Sequence, residues 1–293
     1  MKSMVKRVLV IADFADNEKL SLEKSRDITQ PMDASILVVK FINCQADKSL
    51  SVEQQIATNE QLLSSQLQSV FEDSSRIDSK VVALEDEMVD WVVDYCNQHS
   101  VDFVIKTGHR SESLFHHPSD WHFIRHLPCP ILIISHEKWK SQANILLTID
   151  LAHDEAVHRK LNHLTLNWGL DWSKINQSEL HAVFSIPIAK ALLELDTVDE
   201  SEVLRKKAPQ AKEKLVSLLE EANMPSVVPH ITVGPPEKTI PHLANELHSD
   251  LVILGTVGRE GIGGWLLGNT AEKVLHKLRT DCLVVKLPLD EEI

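Results

Sequence analysis

Glycine is scarce in this chain, and its distribution is uneven. Only nine of the 293 residues are glycine, and six of these nine lie in the stretch GTVGREGIGGWLLGNT, residues 255–270. Glycine is needed where the backbone adopts a positive φ angle or where another group must approach the backbone closely. This segment is therefore either a contorted connection or a place where a ligand lies against bare amide groups.

The sequence also lacks long apolar runs and paired cysteines. No apolar stretch approaches the roughly 20 residues that a membrane helix requires. The first apolar run is interrupted by Asp13 and Asp16 and has no small-residue cleavage site, which favours a strand over a signal peptide. The four cysteines form no CxxC pair, a pattern typical of buried thiols in a reducing compartment. We therefore expect a soluble, cytoplasmic protein that does not associate with membranes.

The chain has fewer basic residues than acidic ones. The chain has 30 lysines and arginines against 43 aspartates and glutamates, a formal net charge of −13. Nucleic-acid binding requires a concentrated positive surface, because the ligand is a polyanion. The composition therefore argues against a nucleic-acid partner.

Apolar strands and amphipathic helices follow the same order in the two halves of the chain. The matched apolar segments are RVLVIAD with NILLTID, VDFVIKTG with SDLVILGT, and PCPILIIS with DCLVVKLP. The first pair ends on an aspartate in both halves, Asp13 and Asp150. Short apolar strands that alternate with helices are typical of a parallel sheet covered on both faces.

We therefore predict an α/β fold with two tandem doubly wound domains, Rossmann-like or flavodoxin-like, each containing a five-stranded parallel sheet. The predicted domains are residues 1–138 and 143–293, joined by the polar segment HEKWKSQA and packed as a pseudo-dimer. A single ten-stranded sheet is the alternative, which the matched order of elements disfavours.

The glycine-rich segment lies between a predicted strand, residues 251–254, and a helix that begins near Asn269. In open α/β sheets ligands bind outside the carboxyl ends of the strands, and the N–H groups at a helix start favour anions. The motif G-x-x-x-x-G-K-[ST] is absent, which excludes a P-loop NTPase, and G-x-G-x-x-G is absent as well. The segment predicts a different kind of site for a nucleotide or another anion.

The spacing Gly255-x-x-Gly258, nine residues, then Gly268-Asn269-Thr270 resembles the nucleotide-binding signature of the universal stress protein family. The resemblance covers nearly the whole chain, and it is greatest to the tandem-domain, E-type members. The segments GTVGREGIGGWLLGNTAEKVLHKLRTDCLVVK and DWHFIRHLPCPILIIS carry it. It implies flavodoxin-like five-stranded domains that pair through their last strands, and a cytoplasmic stress-response role without established catalysis.

The resemblance also implies a site for ATP or another adenine nucleotide, with Mg²⁺, in the C-terminal domain. It places Asp150 at the base and sugar, and the glycines beside the phosphates. Asn269 stands where the family pattern has Ser or Thr, although an amide can also donate a hydrogen bond. The candidate nucleotide-binding residues are Ile149, Asp150, Ser185, Leu254, Gly255, Gly258, Arg259, Gly268, Asn269 and Thr270.

The N-terminal half carries side chains at the positions of these glycines. Alignment of the two halves places Thr107, Arg110 and His117 there, although Asp13 is retained. We infer a degenerate nucleotide site in this half, whose expected role is to complete the pair of domains.

Five of the fifteen histidines lie between residues 109 and 126. His122 and His126 have the i, i+4 spacing that allows two imidazoles to share one metal ion, and His117 and Asp120 are close in sequence. The alternative is a partly exposed basic loop, and the sequence assigns no metal.

Two further functions stay open beside nucleotide binding. The apolar stretches SIPIAKALLELDTV and GGWLLG are compatible with a scaffold or carrier that binds a lipid-like or apolar small molecule, or with a further homodimer. A slow ATPase is the third option. No Ser/His/Asp order, reactive cysteine context or paired carboxylates nominate a catalytic residue, so we do not expect an enzyme.

Overall fold

A computed structural model of the chain describes residues 6–12, 18–44, 50–84, 87–108, 118–135, 139, 143–188, 199–257, 259–261, 264–266 and 269–287. These residues form two units, one up to residue 135 and the other from residue 139 onward.

The first unit contains a parallel sheet with helices on both faces. Its strands are β1 (Arg7–Ala12), β2 (Ser35–Ile42), β3 (Ile77–Ala83), β4 (Phe103–Thr107) and β5 (Ile131–Ile134), and its helices are α1 (Glu18–Thr29), α2 (Val52–Val70), α3 (Met88–His99) and α4 (Pro118–His126). The strand order is β3-β2-β1-β4-β5, and all neighbouring strands are parallel. Helices α1 and α2 contact each other, as do α3 and α4, because the chain reverses its direction across the sheet after β3.

The second unit repeats this plan. Its strands are β6 (Asn144–Thr148), β7 (Glu179–Ile186), β8 (Val228–Val233), β9 (Leu251–Gly255), β10 (Arg259–Gly261), β11 (Gly264–Leu266) and β12 (Asp281–Val285), and its helices are α5 (Ala156–Asn176), α6 (Glu200–Glu221), α7 (Pro236–Glu246) and α8 (Asn269–Leu275). Five of the strands form a parallel sheet in the order β8-β7-β6-β9-β12, and β10 pairs with β11 separately. The predicted α/β class and the doubly wound order of five parallel strands in each unit are confirmed.

Strands β4, β9 and β12 are buried on both faces. In β4 and β9 the first four residues are buried, as is every residue of β12. Helices on each side exclude water from these strands, which explains why their sequences are continuous apolar runs without alternation. In the part of the chain that the structure describes, no helix is both long and apolar enough to cross a bilayer.

The same backbone hydrogen bonds fix the first and fourth strands in both units. The Asp102 carboxylate accepts hydrogen bonds from the N–H groups of Lys6 and Arg7 at 2.6 and 2.8 Å. The backbone N–H of Asp102 donates to Arg7 O at 2.9 Å. In the second unit the Asp250 carboxylate accepts from Asn144 N at 3.2 Å, and Asp250 N donates to Asn144 O at 2.9 Å. The two aspartates that the sequence alignment paired therefore have equivalent positions.

The carboxyl ends of the fourth and fifth strands are also joined identically. Gly108 N donates to Ile134 O at 2.9 Å in the first unit, and Thr256 N donates to Val285 O at 2.9 Å in the second. The residues that directly follow β4 in the first unit can therefore be aligned one by one with those that follow β9 in the second unit. The alignment holds until the connections to the next helices, α4 and α8, differ in length.

Candidate functional site

The strand order of the second unit creates a switch point between β6 and β9. The chain leaves β6 towards β7 on one side, whereas β9 lies on the other side. Connections that depart in opposite directions leave a crevice at the carboxyl ends of the two central strands, where ligands bind in open α/β sheets. Asp150 follows β6 at this edge, and Gly255 is the last residue of β9.

The side chain of Asn162 fixes Asp150 in the turn after β6. Asn162 lies on α5 and is only 5% exposed. Its Oδ1 accepts a hydrogen bond from Asp150 N at 3.0 Å, and its Nδ2 donates to Asp150 O at 2.7 Å. The Asp150 carboxylate also accepts from Ala152 N at 2.9 Å. These bonds hold the aspartate at the edge of the sheet.

Two histidines face the Asp150 carboxylate. The Nδ1 atoms of His153 and His158 lie 2.8 and 3.0 Å from the same oxygen, Oδ2. Their rings are stacked, with centroids 4.6 Å apart and planes 21° apart. Neither histidine could be recognised from the sequence, because one lies in the turn and the other on α5, so no single helical or strand spacing relates them.

Gly255 allows α5 to pack closely against β9. A Cβ atom at residue 255 would lie 2.8 Å from Leu161 Cγ and 3.1 Å from Thr165 Oγ1. Real Cβ atoms do not approach a carbon this closely, so a side chain here would displace the helix. The glycine at this position therefore has a packing cause that is independent of any ligand.

The glycine-rich connection contains a short hairpin that the sequence analysis did not predict. Strands β10 and β11 pair with Arg259 opposite Leu266 and Glu260 opposite Trp265. Ile262 and Gly263, which separate the two strands in the sequence, are not one of the Asn-Gly, Asp-Gly or Gly-Gly pairs that usually signal a two-residue hairpin. The chain then enters α8 at Asn269, close to the predicted helix start.

The remaining phosphate-side candidates are only partly described. Thr270 lies in the first turn of α8 and is exposed. For Arg259 and Asn269 the structure describes the backbone, and Gly258 and Gly268 lie outside the described residues.

The other candidates are buried in the sheet. Ile149 and Leu254 are each 5% exposed. The Ser185 hydroxyl donates to Gly234 O at 2.9 Å and lies 2.8 Å from Thr239 Oγ1. Ser185 therefore connects β7 to the segment between β8 and α7.

In the first unit, an ion pair lies beside the position of the glycine-rich connection. Lys106 Nζ lies 2.8 Å from Asp120 Oδ1, and both side chains are fully buried. The equivalent residues of the second unit are Leu254 and Ala271, which are apolar and buried. Charged side chains in one unit thus occupy the place of apolar side chains in the other.

Among the described residues, the candidate metal ligands Asp120, His122 and His126 do not converge as a group of ligand atoms. The Asp120 carboxylate faces Lys106, a cation. His122 and His126 have stacked rings with centroids 5.7 Å apart, and His126 Nδ1 lies 2.9 Å from His122 O. Three predicted residues of this half, Asp13, Arg110 and His117, lie outside the described residues, and Thr107 ends β4.

Comparison with known proteins decides the family. The model of the universal stress protein family matches the chain twice, over residues 4–135 and residues 154–286. The chain belongs to the universal stress protein family. Both units are family domains in tandem, as the resemblance implied.

Relatives named universal stress protein E support the tandem, E-type assignment. The protein from Salmonella typhi is 34% identical over 193 residues, which cover 64% of this chain and 61% of the relative. The match thus spans about three fifths of the length of that relative. The homolog from Haemophilus influenzae is 24% identical over 300 residues, which cover 96% of this chain and 97% of the relative.

A solved structure supports the fold. The crystal structure of a putative universal stress protein from Pseudomonas aeruginosa UCBPP-PA14 has a TM-score of 0.72 and 22% sequence identity, and covers 97% of this chain and 94% of that chain. At this identity the likeness concerns the fold alone.

Proposed function

We propose that the second unit binds an adenine nucleotide, ATP with Mg²⁺, at the carboxyl edge of β6 and β9. The protein then acts in the stress response as a nucleotide-dependent binding protein without turnover. The observation that carries this proposal is that Asp150 and Gly255, the first residue of the glycine-rich connection, lie at the carboxyl ends of two neighbouring strands at one switch point.

The chemistry on the β6 side suits a base and a sugar. A carboxylate accepts hydrogen bonds from ribose hydroxyls or from an exocyclic amino group. Asp150 is well suited to this task because Asn162 fixes its backbone through two hydrogen bonds. A group held in place before binding loses little freedom when the ligand arrives.

The chemistry on the β9 side suits phosphates. A glycine-rich backbone exposes N–H groups, and the Thr270 hydroxyl in the first turn of α8 is accessible to a ligand. The chain carries a formal net charge of −13, which opposes an anionic ligand. We therefore expect Mg²⁺ to accompany the nucleotide and to neutralise part of its charge.

Thermal unfolding of the full-length protein with and without ATP and Mg²⁺ tests the proposal. A ligand at a hundred times its Kd stabilises the folded state by about 2.7 kcal/mol, so the melting temperature should rise. Gly268→Trp should abolish the rise. His117→Trp, the equivalent change in the other half, should leave it intact. No rise at millimolar ATP would contradict the proposal.

The small molecules that co-purify with the protein test the same proposal without added ligand. Extraction followed by mass spectrometry should recover an adenine nucleotide. Recovery of an acyl compound instead would favour the apolar carrier function. Release of inorganic phosphate from ATP, abolished by Gly268→Trp, would contradict the absence of turnover.

A further inference from the structure

Three metal-ligating atoms converge beside β6. Asp150 Oδ2, His153 Nδ1 and His158 Nδ1 all lie within 4.8 Å of one another. Within the described part of the chain, these three residues are the group of histidine, cysteine and carboxylate side chains that could jointly hold a metal ion. The two nitrogens face one oxygen at 2.8 and 3.0 Å.

The donor set is that of a zinc ion. Two imidazole nitrogens and a carboxylate oxygen are ligands that Zn²⁺ accepts, at about 2.0–2.2 Å from the metal. Tetrahedral bonds of this length separate neighbouring ligand atoms by about 3.3 Å. The nitrogens of His153 and His158 therefore need to move away from the Asp150 oxygen by a few tenths of an ångström, and to reach a similar distance from each other, starting from a separation of at most 4.8 Å. Side-chain rotation at a solvent-accessible site allows that movement.

The surroundings hold these ligands in place and leave one side open. Ala152 N donates to Asp150 Oδ1, so the other carboxylate oxygen is directed to the histidines. Contacts of this kind around a metal site orient its ligands. The side chains of His153 and Asp150 are 56% and 38% exposed, whereas His158 is only 19% exposed. A metal ion can therefore enter from solvent, and a fourth position is open to water or to a ligand atom.

We propose that Asp150, His153 and His158 form a Zn²⁺ site with an open fourth coordination position at the carboxyl edge of β6. The site needs no nucleotide, but it uses the carboxylate that the proposed nucleotide site assigns to the base and sugar, so zinc and a nucleotide would compete for Asp150. The family signature does not include the two histidines. None of the site's three ligands comes from the histidine-rich segment of the sequence, residues 109–126.

Zinc titration of metal-free, full-length protein tests the site, with no nucleotide present. Calorimetry should detect a Zn²⁺ ion whose Kd rises at least tenfold in His153→Ala and in His158→Ala. Titration with Co²⁺ should give visible absorption bands of a four-coordinate ion, and these bands should be lost in Asp150→Asn. Far-UV circular dichroism checks that each variant is folded.

Two control variants separate this site from other histidines. His242→Ala removes an exposed histidine whose Nε2 lies 3.4 Å from the Glu246 carboxylate, a histidine–carboxylate pair without a third ligand. The double variant His122→Ala/His126→Ala removes the pair on α4. Both should retain the zinc ion and the Co²⁺ bands. Equal Zn²⁺ affinity in wild type, His153→Ala and His158→Ala would overturn the proposal, as would a wild type that binds no Zn²⁺.

The zinc and nucleotide proposals fail in distinguishable ways. His153→Ala and His158→Ala change zinc affinity in the absence of ATP, whereas Gly268→Trp changes the thermal response to ATP. If zinc does not bind, the two histidines serve only as hydrogen-bond partners of Asp150, and the nucleotide test is unaffected.

Discussion

At the scale of single residues, the two units differ most clearly where the first carries Lys106 and Asp120. A fully buried charge costs several kcal/mol in lost hydration, and an opposite charge offsets this cost only while both are present. The second unit places the apolar Leu254 and Ala271 at these two positions. The ion pair of the first unit and the apolar pair of the second unit both leave no buried charge without a partner at these positions, whereas one charged and one apolar residue together would leave a buried charge unpaired.

We expect Lys106→Leu and Asp120→Ala to destabilise the protein severely when made singly. Each leaves one buried charge without its partner, at a cost of about 3–5 kcal/mol in the free energy of unfolding. The double variant copies the second unit and should be closer to wild type than either single variant. Urea unfolding of all four proteins measures the coupling. Losses that simply add up in the double variant would contradict this expectation.

Residue-level reasoning from the sequence found part of the candidate site and missed the rest. Asp150 and Gly255 could be predicted because both end matched apolar strands. The close approach at Gly255 comes from Leu161 and Thr165 on α5, and this depends on which face of the helix meets β9. The contacts of His153 and His158 depend on the path of a turn, and sequence spacing does not specify that path.

At the scale of elements, apolar patterning predicted the order of strands and helices well. Continuous apolar runs identify buried parallel strands, and their matched order in the two halves gives the topology. The hairpin formed by β10 and β11 was missed, because glycine dominates this segment and hides the strand pattern. Helix α6 extends from Glu200 to Glu221 and carries an apolar residue, Leu204, that is exposed.

Strands β7 and β8 contain a histidine pair that should make stability depend on pH. His181 Nδ1 lies 3.0 Å from His230 Nε2, and His181 is only 6% exposed. Burial lowers the pKa of both imidazoles, and the neighbouring His181 lowers the pKa of His230 further, while Glu179 opposes the shift at His181. The folded state therefore favours the neutral rings.

Stability should accordingly fall as the pH decreases through and below about 6.5, the pKa of histidine in an unfolded chain. Below this pH the unfolded chain binds protons at the two histidines, whereas the folded state favours the neutral rings. The histidine pair therefore contributes fully to the free energy of unfolding only above this pH. We expect the double variant His181→Leu/His230→Leu to lose less stability than wild type between pH 8 and pH 5.5. Urea unfolding at both values measures this, with His242→Ala as the control. An unchanged pH dependence in the double variant would refute it.

At the scale of the whole molecule, the chain is a tandem universal stress protein with two units of one topology. Sequence comparison gives this result securely because both units match the same family. Sequence comparison does not identify the ligand in the same way, because the proposed ligand site consists of a few residues at one edge of one sheet. At the glycine positions the first half has Thr107, Arg110 and His117 in the sequence, whereas the aspartate after the first strand is present in both halves.

The acidic balance of the whole chain predicts that it does not bind nucleic acid. A formal net charge of −13 repels a polyanion, and the repulsion is greatest at low salt, where screening is least. Gel mobility of a short DNA duplex or RNA at about 50 mM salt should therefore be unchanged by the protein. A retarded band that disappears as salt is added would show a local basic surface and contradict this expectation.

The Lys106–Asp120 pair also has a consequence for evolutionary history. Suppose that the two halves descend from one ancestral domain with apolar residues at these positions. Either charge introduced alone would then have lowered the free energy of unfolding by an amount that is large beside the roughly 5–15 kcal/mol of a typical domain. The two substitutions therefore depended on each other. Once both were present, any single substitution back to an apolar residue would leave the other charge buried without its partner. The first half therefore keeps an ion pair that the second half does not have.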